Sequence, residues 1–447
     1  MYWQRKKRIV KLLLFLCVIC LPLFLLREAL PAEETLDIEK LTQGKVKVGD
    51  LITKDNVDLV KDFLTAGAYQ LVKEGMVIII QESPKPYEVV PKWYRAESER
   101  IHKEYGEPVI DQNAVIYTKD GKPWPGGTPF LHPSNVLEVL ANAKYEHAYD
   151  DYHDKDFWHV DPNLSEFHDG EKFYKKNSQE CTWVCANGRL TIPPLGTISG
   201  LEDLFYRMYI IIAYPFDLKG IGQLMIRYWD DVKNPDQGFA YLSSFKRVVR
   251  ISATTWQDNL AGGDWTWGDP GGGYLEPYVY WNFKLIAEKP QLIMDYFSPF
   301  PKCLADGVSY DYLIPHDGPG NKFPREKWSL MNMYVVESTP KIKHVYGKRV
   351  QLIATPAYSP SQPDIVTNVD YYDPQGKLWK ANIESRCPIE VRGERITTWK
   401  TQFFYDLQTG HSTQSTTPQF SGIDEGTGGK ALDPRDLTLK TLISKGR

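Results

Sequence analysis

The stretch from Phe205 to Glu288 commits the chain to a β-sheet. Phe205–Tyr214 and Ile221–Asp230 are strand-like runs joined by the turn-like Asp217-Leu218-Lys219-Gly220. In the second run Met225, Arg227 and Trp229 alternate with Leu224, Ile226 and Tyr228. That period of two sends successive side chains to opposite faces of a sheet. Pro235-Asp236 marks a turn, and Phe239–Ile251 forms a third run. A glycine- and tryptophan-rich loop, Gly262–Gly273, follows, and the chain resumes as Tyr274–Glu288. Consecutive strands joined by short turns pair most simply as an antiparallel meander. One this rich in aromatic residues has to bury a face.

Further strands are expected at Met76–Gln81, Leu330–Glu337, Arg349–Ala354, Ile365–Tyr372, Lys377–Glu384 and Thr397–Asp406. Asp373-Pro374-Gln375-Gly376 is a hairpin signal. Asp55-Asn56 can cap a helix whose Val57, Val60, Leu64, Ala68 and Leu71 recur at helical spacing to about Lys73. Ser134 caps a second, running to Lys144. Between them, 84–133 reads as irregular, with seven prolines from Pro84 through Pro129. The fold class is α+β and β-rich. Four parts are expected: 1–32, a signal peptide; 33–189, helical and irregular, packing on the sheet; 190–409, the sheet body; and 410–447, a polar C-terminal strap, partly disordered.

The first residues look like an export signal. Arg5, Lys6, Lys7 and Arg8 precede the apolar stretch Leu12–Leu26, and Leu30-Pro31-Ala32 leads to an acidic start at Glu33-Glu34. The apolar stretch is shorter than the roughly 20 residues that span a bilayer comfortably. An uncleaved inner-membrane anchor is the alternative. Either way the body is expected in the periplasm of a Gram-negative bacterium. Removing residues 1–32 leaves 47 basic against 56 acidic residues, a net charge of −9. That argues against nucleic acid or an anionic membrane face as the main partner. Cys181, Cys185, Cys303 and Cys387 remain, with Cys181 and Cys185 placed to close a short disulfide loop in an oxidising compartment.

Catalytic motifs are missing. The serine of Gly196-Thr197-Ile198-Ser199-Gly200 stands one position too late for a nucleophile elbow. Gly271-Gly272-Gly273 lacks the Lys-Ser/Thr of a phosphate cradle. No cofactor motif is found, and the chain reads as a non-enzyme. His147, His153 and His159, in a run dense with Asp, are weak metal candidates against the alternative of a solvated acidic loop. Trp256, Trp265 and Trp267 with Asp258, Asp264 and Asp269 have two readings: a sugar platform, or tryptophans closing the end of a β-sheet core.

On the third run, alternation puts Lys246, Val248 and Arg250 on one face and Arg247, Val249 and Ile251 on the other. If the latter face is concave, Arg247 becomes an inward guanidinium beside an apolar cavity, suited to the acidic headgroup of a greasy ligand. The alternative is an Arg247 that reaches water or a structural Asp.

Leu218-Lys219-Gly220, Arg227-Tyr228, Tyr241-Leu242, Lys246–Ile251 and Gly263-Asp264 together resemble the core of a large uncharacterised proteobacterial family. Its members are often labelled outer-membrane lipoprotein-sorting-like. Val335–Lys341 and Asp370–Lys380 are similar to two further motifs of that family. Phe239 and Phe245 depart from its usual Trp and Arg, and the Trp265–Gly273 loop replaces a more Phe/Thr/Asp-like run. The resemblance implies a fold like the lipoprotein carriers LolA and LolB, a strongly curved antiparallel sheet forming an incomplete barrel lidded by helices. It also implies company with RND-type exporters and outer-membrane proteins. The expected function is a periplasmic carrier or binding protein for a lipid-like or hydrophobic molecule, touching membranes transiently. Its expected ligand site comprises Met225, Arg227, Trp229, Tyr241, Arg247, Val249, Ile251, Asp264 and Trp265, around a hollow not filled by the chain's own side chains. The alternative is a carbohydrate-binding or glycan-processing protein that uses the loop 256–269.

Overall fold

Alternating apolar residues become strands nearly wherever they occur, and almost all of them join one sheet. A computed structural model describes residues 35–147, 151–153, 163–251, 256–259, 262–269, 276–294, 323–324, 327–359, 366–416 and 433–446. In chain order come α1 (Ile38–Leu41), β1 (Leu51–Ile52), α2 (Ala66–Lys73), β2 (Ile78–Ile80), α3 (Lys92–Tyr105), β3 (Val109–Ile110), β4 (Ile116–Tyr117) and α4 (Val136–Tyr145). There follow β5 (Asp151–His153), β6 (Asn163–Asp169), β7 (Lys172–Cys185), β8 (Leu204–Tyr214), β9 (Gly222–Tyr228), β10 (Gln237–Leu242) and β11 (Arg247–Ile251). The rest are β12 (Trp281–Met294), β13 (Lys327–Pro340), β14 (Lys348–Ala354), β15 (Val366–Tyr372), β16 (Leu378–Val391), β17 (Glu394–Asp406), β18 (His411–Thr416) and α5 (Leu439–Lys445).

Sixteen of these strands form a sheet in the order β1-β2-β13-β14-β15-β16-β17-β18-β6-β7-β8-β9-β10-β11, with β12 beside β13 and β5 beside β7. Pairing is antiparallel except where Lys327 and Trp328 of β13 meet Ile79 and Ile80 of β2. The order begins at β1 and ends at β11 without closing. The sheet is nevertheless strongly bent. β12 and β16 lie four places apart, about 19 Å in a flat sheet, yet bring Cα atoms within 8 Å. An open, strongly curved, incomplete barrel is the result, within a compact unit running from Leu36 to the end of the chain.

Three apolar clusters hold it. The largest joins α3, α4 and the loop segments to residues of β7–β9 and β12–β17, among them Tyr206, Met225, Met331, Leu352, Tyr371 and Phe404. A second sets α2 and the first strands against Ala381, Ile383, Phe403 and Tyr405. A third lays α5 on Val184, Tyr209, Leu224 and Tyr241. Tyr371 faces the first cluster while its neighbour Asp370 faces α2, as pleating requires.

Asp370 is the anchor of α2. Its carboxylate accepts from Thr65 Oγ1 and the Gly67 N–H, both at 2.9 Å. The Gly67 N–H is an orphan donor at a helix N-terminus. A side chain at position 67 would come within 2.3 Å of the Asp370 carboxylate and 2.7 Å of the Ala381 methyl, so only glycine lets the helix lie this close.

Some expectations shift. The helix Asp55–Lys73 divides into a 3₁₀ turn, Val57–Phe63, and α2, because Thr65 takes an extended conformation and caps the second piece. Proline-rich 84–133 contains the fourteen-residue α3. The last segment is no mere strap, since β18 stands between β17 and β6 and joins the two halves of the sheet. Cys181 and Cys185 sit four residues apart on β7. Extended backbone separates their Cα atoms by about 13 Å, too far for a disulfide between them. Cys303 and the Cys387 side chain lie outside the described residues. Among those residues, no helix is long and apolar enough to cross a membrane.

Candidate functional site

The curved sheet carries its aromatic wealth on the side of the first cluster, and two groups of residues gather there. One is built on β8, β9 and α4. Met225, Arg227 and Trp229 of the β9 run are all buried. Arg227 Nη2 lies 2.8 Å from Asp236 Oδ2, and Lys144 Nζ lies 2.8 Å from Asp231 Oδ1. Burial pushes the Asp236 carboxyl up, and Arg227 draws it down. Trp229 donates to the Ile116 carbonyl at 2.7 Å and packs 4.5 Å from the Tyr145 ring of α4. The expected residues of β9 are therefore brought together, with Arg227 engaged by Asp236.

The second group joins β14, β15, β17 and β18 to the loop that precedes β12. Asp264, half-buried, takes a 2.7 Å hydrogen bond from Thr413 Oγ1, and its own N–H donates to the same oxygen. Lys380 Nζ donates to the Asp264 carbonyl at 2.6 Å. The Trp265 ring meets Phe404 edge-on at 5.2 Å. Tyr346 OH and the Thr266 N–H both reach Asp269 Oδ2, at 2.7 and 2.6 Å. Burial pushes the Asp264 and Asp269 carboxyls up and the Tyr346 and Tyr371 phenols well up. Trp265 and both carboxylates thus help fasten residues 264–269 to the sheet.

At the centre of this group is Arg349 of β14, with a side chain 1 % exposed. Its guanidinium carbon lies 3.6 Å from the centre of the Trp281 ring. Nη1 lies 3.3 Å from Glu276 Oε2. The other oxygen of Glu276 lies 3.0 Å from His344 Nε2. The Tyr346 N–H donates to His344 Nδ1, which leaves Nε2 as the ring nitrogen that donates to Glu276. Two arginine nitrogens, Nε and Nη2, have no hydrogen-bond partner among the described residues. A buried guanidinium with donors left over is costly, and such a group calls for an explanation.

The remaining expected residues lie elsewhere. Arg247 and Val249 are exposed and Ile251 is half-buried, on the last strand of the sheet. The inward orientation considered for Arg247 gives way to the one that reaches water. The register pairs Val248 with buried Tyr241, so Val248 turns to the side covered by α5 and its neighbours turn away. His147 is buried, and the Tyr145 carbonyl accepts from its Nδ1 at 3.1 Å. His159 and the His153 side chain lie outside the described residues. Nor is the hollow bare, for α4 faces β8 and β9 while residues 264–269 and Glu276 face β14–β18. Sequence reasoning passed over Glu276, Trp281, His344, Tyr346 and Arg349. The available signal was the alternation of Arg349 and Gln351 with Val350 and Leu352 in a buried strand.

Residues 51–430 match the family described as protein of unknown function (DUF1329). The chain belongs to that family. The chain is similar to a DUF1329 family protein from Desulfovibrio piger, at 15 % identity and a TM-score of 0.43, covering 68 % of this chain and 96 % of that one. A provisionally named outer membrane lipoprotein-sorting protein domain from Vibrio parahaemolyticus gives the same identity and TM-score, over 68 % and 97 % of the two chains. A LolA superfamily protein from Nitrosomonas europaea is 11 % identical, with a TM-score of 0.37 over 69 % and 99 %. No curated protein matches the chain.

Proposed function

We propose that this DUF1329 member is a periplasmic, non-enzymatic carrier or binding protein for a hydrophobic molecule with an acidic group. The observation that carries the reading is Arg349, buried in the aromatic cluster with two donors left over. A guanidinium fork suits a carboxylate or phosphate, and an aromatic and aliphatic surround suits its hydrocarbon. The ligand would lie beside the Arg349 guanidinium, with Trp281 supplying apolar surface. Burial contributes about 25 cal/mol per Å² before the costs of association. The family resemblance extends the proposal to service of an RND-type exporter and an outer-membrane protein.

Organic extraction of the purified chain, followed by mass spectrometry, tests the reading. Acidic lipids or other amphipathic acids are expected in the extract. Arg349→Lys keeps a positive charge near Glu276 but gives up the planar fork, and should reduce the amount recovered. An extract without such molecules, together with no saturable binding of a long-chain fatty acid, would overturn the proposal.

A further inference from the structure

The sheet ends in two adjoining turns whose most prominent residues are phenylalanines. Phe216, between β8 and β9, is 89 % exposed, and Phe245, between β10 and β11, is 71 % exposed. The turns are neighbours because Gly222 pairs with both Ile211 and Tyr241, and Ser243 Oγ donates to the Lys219 carbonyl at 2.8 Å. They are also buttressed. Gly446, just after α5, packs closely against Gly220 and the Tyr241 ring. A third exposed aromatic, Tyr214, stands at the end of β8.

Apolar side chains held in water at two buttressed turns ask for a partner. The surrounding charge identifies it. Lys219, Lys246 and Arg247 are all exposed on these turns, against the single exposed acid Asp217. The mature chain as a whole is acidic, so this local excess of positive charge is a property of the place. Protruding aromatic tips ringed by cations match the interface of an anionic bilayer, where rings enter the headgroup layer and cations meet lipid phosphates. A protein partner is less well suited, since two or three rings offer far less than the roughly 800 Å² per side of a standard interface. We infer that the Phe216 and Phe245 turns form a reversible docking site for an anionic phospholipid surface. The inference stands apart from the carrier reading, because a chain with an empty interior would dock equally well.

Sedimentation with vesicles tests it, using the chain from Leu36 onward, which forms the compact unit described above. Vesicles of phosphatidylcholine with phosphatidylglycerol should carry the protein down, and pure phosphatidylcholine should carry far less. The variant Phe216→Ser/Phe245→Ser should partition at least tenfold more weakly. Lys246→Glu/Arg247→Glu should lose the preference for phosphatidylglycerol. These positions are exposed, and the near-UV circular dichroism of the variants serves as the check on folding. Wild-type protein left in the supernatant overturns the inference. So does undiminished sedimentation of whichever variant keeps the native spectrum.

Discussion

The same three residues lead into two strands and meet opposite fates. Lys246-Arg247-Val248 runs from a turn into β11, and Lys348-Arg349-Val350 begins β14. On β11 the arginine is exposed, because among the described residues the strand pairs only with β10 and the sheet ends there. On β14 the arginine is buried, since β13 and β15 flank the strand and Glu276 and Trp281 cover the guanidinium. Alternation tells which residues share a face, and the rank of a strand within the sheet decides what that face meets. A guanidinium therefore costs nothing at the rim, while inside it requires Glu276, Trp281 and, on the reading proposed here, a ligand.

That contrast can be broken by mutation. Arg349→Ala should destabilise the fold by about 3–5 kcal/mol, because it strands buried Glu276. Urea unfolding measures this, and a loss below 1 kcal/mol would show that the pair does not support the loop.

Asp370, on the opposite face of neighbouring β15, sharpens the comparison through pH. Burial raises its carboxyl from 3.8 to about 6. The folded chain thus holds that proton more tightly than the unfolded one. Its contribution is fully present below about pH 4 and is lost as pH rises through 6, by about 3 kcal/mol in all. Asp370→Asn should flatten that part of the stability–pH curve, and an unchanged slope between pH 4 and 6 would remove Asp370 as its source.

Gly67→Ala should cost about 1–3 kcal/mol, since α2 has to move off Asp370 and Ala381. A neutral result in thermal unfolding would mean that the helix is not held so closely. Arg247→Ala, the rim counterpart, should change stability by less than about 0.5 kcal/mol. A larger loss would contradict the exposed placement and the comparison with it.

Most of the sheet could be read from the sequence because its strands alternate strongly. Leu330–Glu337 and Arg349–Ala354 lie within β13 and β14. Strands β6 and β7 lie inside 33–189, a part expected to be helical and irregular, and β18 had no apolar signal. His411–Thr416 contains no large apolar residue, yet β18 is central, and its Ser412, Thr413 and Ser415 side chains are buried by pairing rather than by hydrophobicity. Helix α3 buries only Tyr94, Ser98 and Ile101, too narrow a stripe to stand out behind Pro91. Of the candidate site, the β9 residues and the Asp264-Trp265 loop were legible as chemistry-bearing positions. The Glu276–Arg349–His344 network was not, because its members come from two segments about 70 residues apart and meet only through the bend of the sheet.

Native mass spectrometry of the purified chain tests the central claim most directly. The account predicts a mass several hundred daltons above that of the polypeptide, released on denaturation and reduced in Arg349→Lys. A chain that flies at its bare mass, and stays there after incubation with long-chain fatty acids and acidic phospholipids, would contradict it.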